Sequence, residues 1–534
     1  MKKNFWKIAA LLLIPTITVA CGGAMVNVAP EETAQIATAK SVTVRTADGK
    51  ELIFKSAKIE NEKIIGVLES GEKREIDFSA IQAVMIKKPG ENATAFVVLD
   101  LIVAAWLGAG AAFAPAPPPG SCPLVYSFDG QAFVLEAEPY GGAVLKALQR
   151  SEWIGLDHLK ETGGYYKIRA ANELTETEFA DELKLVVVDH APGARALPDA
   201  NGRIHVVVDP IPPSSAVAKG GLDVHAALSR NDRAFWEPAY PEPSAASSAA
   251  PRSGGPAPSA EDIAESLPLD TLRDELILEF PKPAGARSAK LVANAWTTLW
   301  GSDVAKSILS LHGRDLPQWT AEVNARGPEY RWIMSWFLTE ELYMLKVEVE
   351  TTTGWKPRTV IFGGGPIVAR DKAYLMDISD AAGDTLKLRF RPPAGFWRFN
   401  SFAVDYSDAA PLRVSELSAA QARDAAGRDV RLSLAANDGN YFVMPRTGDY
   451  AELLFAAPPS PPGAAQSVIL KASGYYDPHL SADGEPRTDL LRKIHAEPGA
   501  TLRFAYAEHL KRLASAAAHA PAPSPVRSAA PALR

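Results

Sequence analysis

The residues of this chain with usable chemistry are carboxylates, histidines and tryptophans. Glu136 and Glu138 alternate along one predicted strand and so share a face. Glu173, Glu176, Glu178, Asp181 and Glu182 crowd a nearby segment. Two carboxyl groups held ~5–9 Å apart can hydrolyse a glycoside, and a cluster of them can hold calcium. The ordered alternation of an EF-hand loop is missing, so the expectation for the second group is a solvated acidic rim. His205, in a predicted strand near 204–208, and Asp209, four residues on, are expected to face one side, with Asp189 and His190 on the preceding strand of the same hairpin. Two histidines and two aspartates suit a metal ion or an oriented imidazole base. No third ligand with a recognisable spacing accompanies them, so no metal is expected, and the plainer reading is strand ends beside the 191–202 loop.

Other motifs fall away. Gly363, Gly364 and Gly365 lack the Lys-Ser/Thr of a phosphate loop and read as a turn before a strand. There is no Gly-x-Ser-x-Gly elbow, His-Glu-x-x-His helix or Cys-x-x-Cys pair, hence no catalytic set and no cofactor is expected. Cys21 and Cys122 cannot build a disulfide scaffold or a four-thiolate zinc site, and Cys122 reads as a small buried residue. Tryptophan is the most suggestive residue type: Trp296, Trp300, Trp319, Trp332, Trp336 and Trp355 fall close together, with Tyr330 and Tyr343 among them. Such rings stack on sugars, anchor protein interfaces, or simply fill a core.

The elements that must position these residues begin with an address. Lys2, Lys3 and Lys7 precede an apolar run from Ile8 to Ala20 that is too short to cross the ~30 Å hydrocarbon core at about 1.5 Å per residue. Thr18-Val19-Ala20-Cys21 then resembles a bacterial lipobox, with Thr18 where that pattern usually has Leu. The expectation is a signal peptide over 1–20, lipid on Cys21, a tether over 21–40, and attachment to a membrane of the cell envelope, inner or outer. Removing three lysines takes the formal charge from −7 to about −10, and no basic run stands against it, so nucleic acid is not an expected partner.

From Ser41 the period switches to two, with turns at Asp48-Gly49, Glu60-Asn61 and Ser70-Gly71. Five short strands over 41–90 bury an interior only by curling, which predicts a small SH3-like barrel. Residues 93–114, in which only Thr94 and Asp100 are distinctly polar, are expected to form a hydrophobic helix. Its length suits a transmembrane span, whereas the flanking Lys87 and Lys88 oppose passage from outside to inside; packing against a neighbouring domain is the other placement. The Pro-rich 115–120 stretch ends it.

A β-rich domain follows over 121–240, with strands at 165–171, 183–189 and 204–208. Residues 241–260 hold 18 Pro, Ala, Ser or Gly among 20 and read as a disordered linker. A jelly-roll-like β-sandwich is expected over 261–482, with a helix near 301–312 and unbroken strand pattern from Leu342. Helices over 483–515 and a disordered tail over 516–534 close the chain. The fold class is therefore mainly β: a small barrel, a hydrophobic helix, then an antiparallel β-sandwich body with a few helices.

Ser121 to Gly142 reads SCPLVYSFDGQAFVLEAEPYGG. Its Cys-Pro-x-Val-Tyr-Ser-x-Asp-Gly segment is similar to one in uncharacterised secreted or lipid-anchored bacterial proteins with a β-sandwich body, and LKLRFRPPAGFWRFNSFAVDYS and ILKASGYYDP look like parts of the same kind of protein. No activity is known for that family, so the resemblance implies none here. The function expected is a membrane-anchored envelope lipoprotein with a non-enzymatic binding or scaffold role toward a glycan or protein. The alternative is a cell-surface hydrolase of glycan or peptide acting through Glu136/Glu138 or His190, His205 and Asp209.

Overall fold

The structure, a computed structural model, describes residues 18–20, 23–25, 41–46, 51–60, 63–68, 70–77, 81–87, 123–232, 234–242, 258–408 and 412–519. Cys21, Cys122, the 93–114 segment, most of the 241–260 linker and residues 520–534 of the final tail lie outside them, while residues 516–519, expected as the start of that tail, continue the last helix. Among the described residues no helix is long and apolar enough to cross a membrane. The fold is mainly β, with antiparallel sheets and few helices. The chain divides into two compact units, residues 1–113 with 517–534, and residues 114–516.

In the first unit five antiparallel strands lie in the order Lys73–Asp77, Lys63–Leu68, Glu51–Glu60, Ser41–Thr46, Ile81–Lys87. The first strand of the five is therefore flanked by the second and the last. Register shifts at Arg45/Thr46 and Phe54/Ser56 bend the strands. Val42, Val44, Phe54 and Ile64 fill the interior. Gly66 leaves room for Phe54, since a Cβ there would lie 2.7 Å from that ring.

In the second unit two sandwiches are nested. One pairs a sheet of Arg150–Gly155, Ala465–Pro478, Glu176–His190 and Arg413–Leu417 with a sheet of Gln421–Asp424, Tyr450–Ala456, Tyr165–Ala171, Leu124–Phe128 and Phe133–Ala137. Its spine is the long pair Glu176–His190 with Ala465–Pro478, whose register runs from Glu176↔Pro478 to His190↔Ala465. The other sandwich is inserted between those strands. It stacks a six-stranded sheet containing Leu276–Pro281, Thr385–Phe390 and Met344–Thr351 near a three-stranded sheet of Lys372–Asp377, Ser288–Thr297 and Trp397–Asp405. Leu278, Val347, Leu388, Leu291, Phe402 and Val404 share one buried core, and Val125, Ile168, Leu185, Leu453 and Leu470 share the other. A cut at the 241–260 linker thus separates neither sheet pair, because strands near 180 and 470 are direct neighbours.

Helices cover the junction. Leu299–Ser310 starts where Thr298 Oγ1 accepts the Gly301 N–H at 3.1 Å. Leu316–Asn324 and Pro328–Glu340 each carry proline in the first turn, where its missing N–H costs nothing. The last of these ends on Glu341 at φ 57. A non-glycine residue holds that left-handed cap because Trp397 Nε1 donates to the Glu341 carbonyl at 2.7 Å and Arg273 Nη1 pairs with its carboxylate at 3.1 Å. Thr488–Ala496 and Ala500–His519 complete the helical layer.

Candidate ligand-binding site

The residues singled out for hydrolysis or metal binding do not meet. Glu136 is fully buried; its Oε1 accepts the His158 N–H at 2.6 Å and faces His158 Nδ1 at 2.9 Å and Arg370 Nη2 at 3.6 Å. Glu138, just past the strand end, accepts the N–H groups of Ile367 (2.7 Å) and Val368 (3.2 Å). His190 and His205 do not share a hairpin. His190 ends the long spine strand and bonds Ser467 Oγ at 2.8 Å, whereas the strand holding His205, Ile204–Val207, pairs with Arg195–Pro198. His205 Nε2 lies 3.3 Å from Asp199 Oδ2. Asp209 falls beyond that strand, so the expected four-residue alternation with His205 is broken; its backbone N–H donates to Asp405 at 2.9 Å. Asp405 is itself fully buried, which opposes ionisation, yet Ser407, two backbone N–H groups and Lys290 push its carboxyl down to about 2. Among the described residues no group of three or more His, Cys, Asp or Glu side chains is arranged to hold a metal.

The acidic segment is not a solvated rim. Glu173 alone is exposed, and Glu176, Glu178, Asp181 and Glu182 are buried. A register shift between Ala180 and Glu182 sets Asp181 aside as the extra residue of a bulge, where it accepts from Gln149 Nε2 at 2.7 Å and the Gly439 N–H at 2.9 Å. Glu182 pairs with Lys184 (3.1 Å) and Lys471 (3.2 Å). Burial, then the neighbouring Glu176 and Glu138, push the Glu178 carboxyl well above its ordinary range. Apart from Lys184, the partners Gln149, Gly439 and Lys471 come from other segments of the chain, which is why the local charge pattern misleads.

Half of the tryptophan cluster converges. Trp319, Trp332, Trp336 and Tyr343 line a cavity of about 450 Å³ walled by segments of both sandwiches and by the helix Thr488–Ala496. His495, Trp332 and Trp336 form a stack with ring centroids 4.3 and 5.2 Å apart. Trp336 Nε1 donates to Thr501 Oγ1 at 2.8 Å, which spends its polar edge on the helical wall and leaves its ring available to the cavity. Trp319 stacks on His312 at 4.2 Å. Desolvation pushes the His312 imidazole down to about 4, so it is neutral at neutral pH and belongs to the apolar lining. Leu145, Leu148, Val304, Ile308 and Ile333 complete that lining, while Glu322, Glu329 and Arg492 supply its charges. Glu329 Oε1 lies 3.7 Å from His495 Nε2.

The remaining tryptophans serve elsewhere. Trp300 Nε1 donates to Tyr240 Oη at 2.8 Å, Trp355 lies under Arg389 at 4.7 Å, and Trp296 lies near Arg398 at 5.8 Å. Sequence reasoning missed the two helices that carry Trp319, Trp332 and Trp336; Pro317 and Pro328 as helix-starting residues were the available signal.

No family model and no curated protein matches the chain. Two solved structures align with it weakly. One is described as the triple jelly roll fold and turret assembly in an archaeal virus, at 8% identity over 69% of this chain and 99% of that one with a TM-score of 0.12. The other is the atomic structure of Sulfolobus turreted icosahedral virus, at 7% identity over 69% of this chain and 100% of that one with a TM-score of 0.12. Likeness at that level carries no argument about fold or function.

Proposed function

We propose that this chain is a binding protein of the bacterial envelope, tethered by lipid on Cys21, whose aromatic cavity holds a small amphiphile. The carrying observation is the cavity itself. Its volume of about 450 Å³ falls in the range typical of small-molecule sites, and a wall of stacked indoles with aliphatic neighbours takes up an apolar body by removing it from water. Glu329, His495 and Arg492 provide the few polar groups that would orient a head group. That lining favours an apolar ligand over the glycan expected from tryptophan content alone, because a sugar would leave its hydroxyls without partners against Leu148 and Ile308. The hydrolase alternative draws no support from Glu136, Glu138, His190, His205 and Asp209, each of which is engaged by different neighbours.

Native mass spectrometry of protein extracted from envelopes in mild detergent tests the binding role. Excess mass released on denaturation is expected for the wild type and lost in Ala305→Trp, which places an indole in the cavity that Ala305 lines; equal spectra for the two would sink the proposal. Metabolic labelling with a fatty-acid analogue tests the tether: label is expected on the wild type and absent from Cys21→Ser, and label retained by that variant contradicts it.

A further inference from the structure

The charges around the aromatic cavity do not balance. Its lining holds Glu322, Glu329 and Arg492. Arg492 turns outward and pairs with the exposed Asp489 at 2.8 Å. Glu322 accepts from the Gln318 amide at 3.1 Å, and Glu329 faces the His495 ring at 3.7 Å. Among the described residues neither carboxylate has a lysine or arginine within ion-pair distance. The other cations on the walls are committed elsewhere. Lys493 pairs with Glu265, and Arg314 with Glu485 at 2.6 Å. Arg326 lies over the Tyr330 ring and Lys146 over the Tyr441 ring, each at 5.6 Å. Lys306 and Arg331 occupy faces of their helices turned from the cavity. Asp315, just outside the lining, adds its negative charge beside the His312 ring.

Helix ends add to the same sign. Leu309 and His312 bring the carboxyl end of Leu299–Ser310 to the cavity, and His495 and Ala496 bring that of Thr488–Ala496. Carboxyl ends favour cations. Against them stands the amino end of Pro328–Glu340, whose first turn Glu329 already occupies.

The rings work in the same direction. A tryptophan or tyrosine face is electron-rich and attracts a cation set over it. Trp319, Trp332, Trp336, Phe337 and Tyr343 line the space. Trp332 and Trp336 spend their N–H groups on the His495 carbonyl and Thr501 Oγ1. Those two indoles therefore offer a guest π surface and no donor for an anionic head.

We infer that the guest of this cavity is a cationic amphiphile: an alkyl chain among Leu145, Leu148 and Ile308, ending in a quaternary ammonium near Glu322 and Glu329. A quaternary head has no N–H to satisfy, so it suits a lining poor in acceptors, and partial desolvation against the rings strengthens the attraction. The inference rests on the reading of the cavity as an amphiphile site and adds the sign of the head group.

The test is calorimetric titration of the full chain in neutral detergent, at low salt and about pH 8, where imidazole charge does not enter. Three ligands of one chain length are compared: octyltrimethylammonium, octanol and octyl sulfate. Heat that persists in Ala305→Trp is partition into the micelle and is subtracted. Octyltrimethylammonium is expected to bind at one site about tenfold more tightly than octanol, and octyl sulfate more weakly than either. In Glu322→Gln/Glu329→Gln, two changes at solvent-facing positions, that advantage is expected to shrink to about twofold. Any order in which the ammonium is not the tightest, or an advantage unchanged in the double variant, overturns the inference and leaves the cavity as an apolar site. No saturable binding of any of the three overturns the amphiphile reading with it.

Discussion

Trp332 lies flat against His495, with ring centroids 4.3 Å apart and planes 14° from parallel, and donates its indole N–H to the His495 carbonyl at 3.2 Å. The contact pins Thr488–Ala496 to Pro328–Glu340 across the aromatic cavity, and Trp332 packs against both buried cores of the unit. Trp332→Ala is therefore expected to destabilise the unit by about 2–4 kcal/mol, as large-to-small changes at packed aromatics do. Trp332→Phe keeps a ring in the stack and is expected to lose about half of that. Urea denaturation followed by circular dichroism reads both; an Ala variant as stable as the wild type would show that the stack does not hold the helices.

The two sandwiches are joined by charge as well as by packing. Lys372 Nζ lies 2.5 Å from Glu152 Oε1, both residues are buried, and Glu152 Oε2 accepts the Tyr140 N–H at 2.8 Å. Burial opposes ionisation of Glu152, but Lys372 and Arg150 outweigh it and hold the carboxyl below its ordinary range. Lys372→Met strands a buried carboxylate and is expected to cost about 3–5 kcal/mol in urea unfolding. The double variant Glu152→Gln/Lys372→Met should recover most of that loss. A single variant no worse than the double one would remove the ion pair from the account.

His312 links pH to stability on the acid side. Its folded pKa, about 4, lies below the unfolded value of 6.5. Between those values the unfolded chain binds a proton that the folded chain does not, so this contribution is present above pH 6.5 and is lost as the pH falls toward 4. The loss amounts to at most about 3 kcal/mol. Urea midpoints across that range should fall more steeply for the wild type than for His312→Gln; parallel curves would mean the imidazole takes up its proton freely in the fold.

The triple glycine has unequal members. A Cβ on Gly365 would lie 2.0 Å from Glu138 Cδ, and Glu138 cannot swing away without surrendering its bonds to the Ile367 and Val368 N–H groups. A Cβ on Gly364 meets nothing within 4 Å. Gly365→Ala is expected to lower stability by about 1–3 kcal/mol and Gly364→Ala to be nearly silent in a thermal melt. Equal effects would contradict the packing described.

Most of the strands were legible because their period is local. Val42 and Val44, the alternation at Tyr165–Ala171 and the turn at Asp129-Gly130 announce themselves within a few residues. The nesting was not, because nothing near Glu176 says that its neighbour is Pro478. The same distance hid the fate of the acidic segment: Lys471 and the Gly439 N–H, which make burial of Glu182 and Asp181 affordable, lie far along the chain. Tryptophan content pointed to a site without locating it. Trp319, Trp332 and Trp336 meet only because two proline-started helices fold over the junction, while Trp296, Trp300 and Trp355, equally conspicuous in sequence, pack against other partners.

The central claim, that the space beside Trp332 and Trp336 admits an apolar guest, is tested most directly by titrating the full chain with N-phenylnaphthylamine and following its emission. The account predicts saturable enhancement with one site per chain, suppressed in Ala305→Trp and weakened in Trp336→Ala. Emission that rises without saturating, or that is identical in the wild type and the filled variant, would contradict it.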